Sequence, residues 1–269
     1  MGGGVQSTVM CLLANDETFG VKPDCAIFAD TQWEPRSVYD NIEWLQSKVS
    51  FPIITTDNGR SLRDDVVNGV NAQGQAWLTL PAYLADRDGQ PAGINWRQCT
   101  KNYKLDPIRK EVQRLLGVRP RQSLSSETNV EMWLGITTDE ALRVRPSRNW
   151  WIKHRYPLID DLPMTREQCL YWFAEHYPNR SLSRSACIGC PFRSSSSWLD
   201  IKQSEPELYQ EAVEIDAMLR SSTHNAGRMF RKRAYLHHRR IPLEDALVLD
   251  NHEHEVNGFI NECEGHCGL

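Results

Sequence analysis

Residues 1–14 read MGGGVQSTVMCLLA, a run of three glycines followed at once by Ser7, Thr8 and an apolar stretch of helical character. Glycines there let the backbone approach a phosphate closely. The helix that follows would present free N–H groups and a partial positive charge to it. Working outward, DCAIFADT (24–31) is a short apolar run ending in Asp30 and Thr31, the pattern of a buried parallel strand with polar residues at its carboxyl end. Val38, Ile42, Trp44 and Leu45 give a helix over 37–49, and FPIITTD (51–57) a second strand. Strand, helix, strand in this order predicts a right-handed parallel crossover, hence an α/β fold with a doubly wound, mainly parallel sheet. Ligands of such sheets bind at the carboxyl ends of the strands.

Farther along, residues 57–98 predict an irregular excursion carrying one helix, 106–116 a helix, and NVEMWLGITTDE (129–140) a strand. Thr165 and Gln168 have the spacing of a capping box at a helix start. Residues 181–269 predict a helical, metal-stapled lobe after a nucleotide domain at 1–180. If Met1 is the true start, the strand that normally precedes such a glycine loop is missing and the sheet edge is filled in some other way.

The chain has 269 residues, 40% hydrophobic and 25% charged, with a formal net charge of −4. Those are ordinary globular values and supply no global attraction to nucleic acid or an anionic membrane. No apolar run approaches the roughly 18 residues of a membrane span, and the N-terminus lacks a signal-peptide layout, so a cytoplasmic protein is expected. In a reducing compartment Cys187 and Cys190 (C-x2-C) and Cys263 and Cys267 (C-x3-C) favour metal ligation over disulfides. Cys11, Cys25 and Cys169 are expected in the core.

Several ordered segments resemble the phosphoadenylyl-sulfate (PAPS) reductase branch of the PP-loop superfamily, the adenine-nucleotide alpha-hydrolases of HUP-like fold. The glycine loop is similar to that family's S-G-G-x-x-S turn. FADTQWEP with Tyr39 resembles its strand-end D-T-G segment, CTKNYKLDPIRK its C-x4-K-x2-P segment, and WLGITTDEALR its G-[IV]-x-x-x-E-x-x-R segment. ACIGCP resembles its C-x2-C and the terminal HCGL its E-C-G-L-H end.

The resemblance implies a nucleotide, ATP or adenylyl sulfate, held by Gly2, Gly3, Gly4, Gln6, Ser7, Thr8, Asp30, Thr31, Gly135 and Asp139. Apart from the resemblance, Lys104 and Arg143 suit phosphate or sulfate, Arg143 by a bidentate fork, or an ordinary surface ion pair. Asp30 suits adenine, ribose or Mg2+, or a helix cap. Asp139 and Glu140 suit a metal, a ribose, or a simple helix start. The family also implies a [4Fe-4S] cluster. Gln98 stands where related reductases carry the first cysteine of a pair, so the ligand set becomes Cys99, Cys187, Cys190 and Cys263. Cys267 is then the thiolate that attacks sulfur, with a thioredoxin-type thiol as reductant. Independently of the resemblance, the spacing also allows a four-thiolate zinc site of Cys187, Cys190, Cys263 and Cys267.

Three functions follow. One is reduction of an adenylylated sulfate to sulfite. Another is an ATP pyrophosphatase reaction inserting sulfur into nucleic acid, which the basic, aromatic run RMFRKRAYLHHRR (228–240) would contact unless it is a helix with a solvated cationic face. The last is a nucleotide-binding zinc protein without catalysis, kept open by Val5 and Gln6 in place of the charged residues of many ATP loops. His252 and His254 suit a metal or a solvated tail.

Overall fold

A computed structural model describes residues 1–249 apart from 72, 120, 183, 229 and 231. The expected Cys263, Cys267, His252 and His254 therefore lie outside the described residues.

Helix α1 (Val5–Asn15) starts directly on the glycine run and is buried from Val5 to Ala14. Strand β1 (Ala26–Ala29), helix α2 (Arg36–Gln46) and strand β2 (Ile53–Thr56) follow, and β1 pairs β2 in parallel with Ala26 opposite Ile53. Helix α3 (Leu62–Asn68) opens on Ser61, whose side chain accepts from the Asp64 amide. Next come strands β3 (Tyr83–Ala85) and β4 (Pro91–Ile94), then helix α4 (Asp106–Leu115), entered through a π-helical turn over Lys101–Leu105. Strand β5 (Val130–Trp133) leads through a 3-10 segment, Thr138–Arg143, to its parallel partner β6 (Ile152–Arg155). Beyond them lie α5 (Pro157–Asp160), α6 (Arg166–His176), α7 (Ser195–Ser204), α8 (Pro206–Met218), α9 (Asn225–Arg228), β7 (Arg233–Tyr235) and α10 (Leu243–Leu249).

Period-2 alternation sends neighbouring residues of the parallel strands to opposite faces. Ala26 and Trp133 pack with α1 and α6 around Val9, Leu45, Leu158, Cys169 and Phe173. Ile27, Ala29, Val130 and Ile152 pack against Ile108 and Val112 of α4. Helices thus cover both faces of the parallel strands, as a mixed α/β PP-loop fold requires. Each fully buried Leu or Phe contributes about 1.5–3 kcal/mol. α6 begins with the expected capping box, Thr165 accepting from the Gln168 amide and Gln168 from Thr165.

Two expectations are corrected. The excursion 57–98 holds a β-hairpin as well as a helix, and the basic run 228–240 is no amphipathic helix. Its Arg233–Tyr235 forms β7, antiparallel to β3 with Tyr83 opposite Tyr235. Ala234, Tyr235, Leu236 and His237 are buried there because β3 supplies backbone partners and an apolar face. The largest apolar cluster joins Trp33, Leu62 and Leu80 to Ile188, Trp198, Ile215 and Leu236, residues from both sides of position 180.

Cys11 and Cys169 are buried as expected, and Cys25 is half-buried. Burial pushes the Cys11 thiol up to about 11 from 9.0. A raised folded-state value means that stability is intact below pH 9 and falls as pH climbs toward 11. Cys11→Ala should lack this alkaline slope of roughly 2–3 kcal/mol; urea denaturation of both proteins at pH 8 and pH 11 checks it, equal slopes counting against it.

Candidate functional site

The glycine turn leaves the N-terminus of α1 without a side-chain cap. Gly3 takes φ +74° and a Cβ there would stand 3.0 Å from Val38. Asn41 of α2 holds the turn from behind, its Nδ2 donating to the Gly3 carbonyl at 3.0 Å and to Thr8 Oγ1 at 2.8 Å. Gly4 is the N-cap of α1, with no side chain capping the helix and no acidic residue in its first turn. Ser7 Oγ donates to the Gly4 carbonyl at 3.2 Å. The first-turn amides and the dipole of an eleven-residue helix are therefore left for a ligand.

Gly135, just past β5, packs on that turn: a Cβ would lie 3.1 Å from Ser7 N and 3.2 Å from Ser7 Cα. Both contacts are backbone and cannot swing away. Gly135→Ala is thus expected to displace the first turn of α1 and weaken adenine-nucleotide binding about tenfold or more. Isothermal titration with ATP and adenylyl sulfate measures this; unchanged affinity would show that the turn tolerates the shift.

Asp30 follows β1, its Oδ1 accepting from the Gln32 amide at 2.7 Å and Tyr39 OH at 2.9 Å. Burial and that hydrogen bond push the Tyr39 phenol well above its ordinary value. Thr31 Oγ1 donates to Glu34 Oε1 at 3.0 Å, and the same oxygen lies 3.4 Å from Lys104 Nζ. Lys104 thus enters the site paired with a buried carboxylate. The π-helical turn turns it inward, a common device at functional sites.

Arg143 is ion-paired with Glu140, whose other oxygen accepts from Gln6 Nε2 at 3.1 Å. Asp139 Oδ1 accepts from the Arg166 amide at 3.1 Å, at the start of α6. Arg143 therefore connects to the glycine turn through Glu140 and Gln6, whereas Asp139 holds the start of α6.

Cys99, Cys187 and Cys190 line one pocket with Thr31, Lys104, Arg97, Thr100 and Phe192. The Arg97 guanidinium lies 4.8 Å from the centroid of the Phe192 ring. Three contacts join the cysteine turn to the segments at Gly2 and Trp33. Ser185 Oγ donates to the Gly2 carbonyl, the Ile188 amide donates to the Trp33 carbonyl at 2.9 Å, and the absent side chain of Gly189 leaves room for the Trp33 indole. The hydrogen bond to Cys190, together with burial, pushes the Cys187 thiol well above its ordinary range. No three His, Cys, Asp or Glu side chains among the described residues gather as ligands of a single metal ion. Three thiols on one pocket wall offer ligands to a thiophilic group.

Residues 1–165 match the family model of the phosphoadenosine phosphosulfate reductase domain, more than half of the chain. The chain belongs to this family. As a PAPS reductase domain protein it is placed with nucleotide-utilising enzymes, and the glycine turn, Asp30 and Gly135 all fall inside the matched region. No curated protein and no solved structure shows a match. No helix among the described residues of this family member is long and apolar enough to cross a membrane.

Sequence reasoning missed Glu34, Arg97 and Arg193. Arg193 stands three residues after the C-x2-C, and only its burial, invisible in the sequence, marks it out.

Proposed function

We propose that the chain binds an adenylylated sulfate with its phosphate at Gly2–Thr8 and reduces it to sulfite beside Cys99, Cys187 and Cys190. The observation that carries this reading is the single pocket wall shared by Thr31, Lys104 and the three cysteines, tied to the glycine turn through Ser185. In the reaction the Cys267 thiolate attacks sulfur and the S–O bond breaks, the electron pair leaving with the adenosine phosphate. A dithiol reductant then attacks the cysteine S-sulfonate, releasing sulfite and becoming a disulfide. Lys104 offsets charge on the sulfate oxygens, and the α1 amides hold the phosphate. Cys99, Cys187 and Cys190, with Cys263, would hold a [4Fe-4S] cluster, which when bound would anchor the tail carrying Cys267 at the pocket. Zinc at the cysteine pairs is the alternative.

One observation favours the second reading, ATP-dependent sulfur insertion into nucleic acid. Residues 141–150 contain no acidic side chain and expose Arg145, Arg148, Leu142 (90%) and Trp150 (66%), cationic and stacking groups suited to single-stranded nucleic acid. Gln6, Glu140 and Arg143 connect that segment to the glycine turn. Residues 228–240 are the poorer surface, since 234–237 are buried.

Incubating the full chain with adenylyl sulfate, its 3′-phosphorylated form, or ATP plus tRNA or DNA separates the readings. The proposal expects sulfite from a sulfonucleotide and no pyrophosphate from ATP. Pyrophosphate with thiolated nucleic acid would establish the second reading; nucleotide binding without either product would leave the non-catalytic one.

A further inference from the structure

Two cations line the pocket, Lys104 and Arg97, and they are held in different ways. Lys104 lies 3.4 Å from Glu34, whose same oxygen takes the Thr31 hydroxyl, so its charge is balanced. The half-buried Arg97 lies with its guanidinium over the Phe192 ring, 4.8 Å from the centroid. Such a contact attracts a cation without cancelling its charge. Both partners are fixed by other parts of the fold. Phe192 meets Tyr83 of β3 edge-on, ring centroids 6.4 Å apart. Around Arg97 the backbone is pinned: the Gln98 and Cys99 amides donate to the Thr79 carbonyl at 3.2 and 3.0 Å, and Asn95 Nδ2 donates to the Leu80 carbonyl at 3.1 Å. None of the described residues that line the pocket is acidic. Even with Glu34 counted, this wall carries two positive charges against one negative.

We propose that Arg97, steered by Phe192, is a specificity-determining residue that takes the terminal oxyanion of the nucleotide, the sulfuryl group that adenosine monophosphate lacks. The proposal rests on the reading above, in which an adenylylated sulfate is bound with its phosphate at the glycine turn. A sulfuryl end brings one negative charge, which matches the single surplus positive charge of the wall. A guanidinium suits it better than an ammonium, because its planar fork offers two parallel N–H donors to two oxygens of one tetrahedral anion. The ring sets the place of that fork before the ligand arrives, so less is lost in ordering the side chain. A terminal phosphoryl group presents similar oxygens with more charge, and the charge count therefore favours the sulfuryl end.

Isothermal titration with adenosine monophosphate, adenylyl sulfate and adenosine diphosphate tests this, on the full chain carrying Cys267→Ser so that no sulfur is transferred during the measurement. That parent is expected to bind adenylyl sulfate more tightly than the monophosphate. Arg97→Gln should weaken adenylyl sulfate about tenfold or more and leave the monophosphate within about twofold, which also shows that the variant is folded. Arg97→Lys should fall between the two. Phe192→Leu, which keeps the cation and removes its ring, should cost adenylyl sulfate a few-fold. Should Arg97→Gln fail to fold, these last two variants carry the same comparison. Equal weakening of both nucleotides, or a preference for adenylyl sulfate that survives the loss of Arg97, overturns the role of Arg97 while the functional reading stands. A parent that binds adenylyl sulfate no better than the monophosphate defeats that reading and this proposal with it. Preference for the diphosphate over adenylyl sulfate, lost in Arg97→Gln, overturns the sulfuryl assignment and gives the same residue a phosphoryl group.

Discussion

Lys104→Met is expected to destabilise the protein by about 3–5 kcal/mol, the cost of stranding one member of a buried ion pair. Lys104 is 6% and Glu34 4% exposed, with Nζ 3.4 Å from Oε1. Without the ammonium, Glu34 keeps only the Thr31 hydroxyl on that oxygen, and its Oε2 already has no hydrogen-bond partner. The buried carboxylate would lose its adjacent cation and keep only the longer-range pull of Arg193. Glu34→Gln combined with Lys104→Met removes both charges and should restore most of the loss. Urea denaturation at pH 7 of both single variants and the double gives the coupling. A loss below about 1 kcal/mol for Lys104→Met would be that of a solvated pair and would contradict the buried one.

Cys267→Ser should reduce sulfite release by at least about three orders of magnitude while leaving iron content at the wild-type level. A serine hydroxyl at neutral pH is a far poorer nucleophile toward sulfur than a thiolate, whereas a residue outside the ligand set has no reason to alter metal loading. Cys187→Ser supplies the contrast, losing iron and activity together. Iron lost from Cys267→Ser would make Cys267 a ligand and hand the nucleophile's role to Cys263.

β1, α2, β2, α4 and α6 are legible in the sequence because each carries its own period or boundary: FADT ends a strand, Pro107 opens a helix, and Thr165 with Gln168 caps α6. The β3–β4 hairpin was equally available, since Asp88-Gly89 lies between two strand-like runs and Gly89 adopts φ +80°, but the polar residues around it masked the pattern. β6 reads IKHR, and three basic residues in four hide a strand whose burial comes from pairing with β5. β7 fails for the same reason, its Arg-Ala-Tyr made a strand by β3.

At the site, residue types at motif spacing were legible: the glycine turn opens α1, Asp30 follows β1, and Lys104, Cys99, Cys187 and Cys190 line one pocket. Their partners were not. Lys104 is held by Glu34 from a distant segment and Glu140 reaches Gln6 across 134 residues, contacts that no local pattern announces, while Arg143 on Glu140 and Arg193 on the cysteine turn are close in sequence but marked only by their burial. Charged side chains look alike in sequence whether solvated or buried.

Cys99, Cys187 and Cys190 are the proposed ligands of one iron–sulfur centre beside the nucleotide turn. Metal analysis of the full chain purified without oxygen, with its visible spectrum, tests this most directly. The expected result is a brown protein with about four iron and four sulfide per chain, lost in Cys99→Ser. Colourless protein with about one zinc per chain, retained in Cys99→Ser, would contradict it.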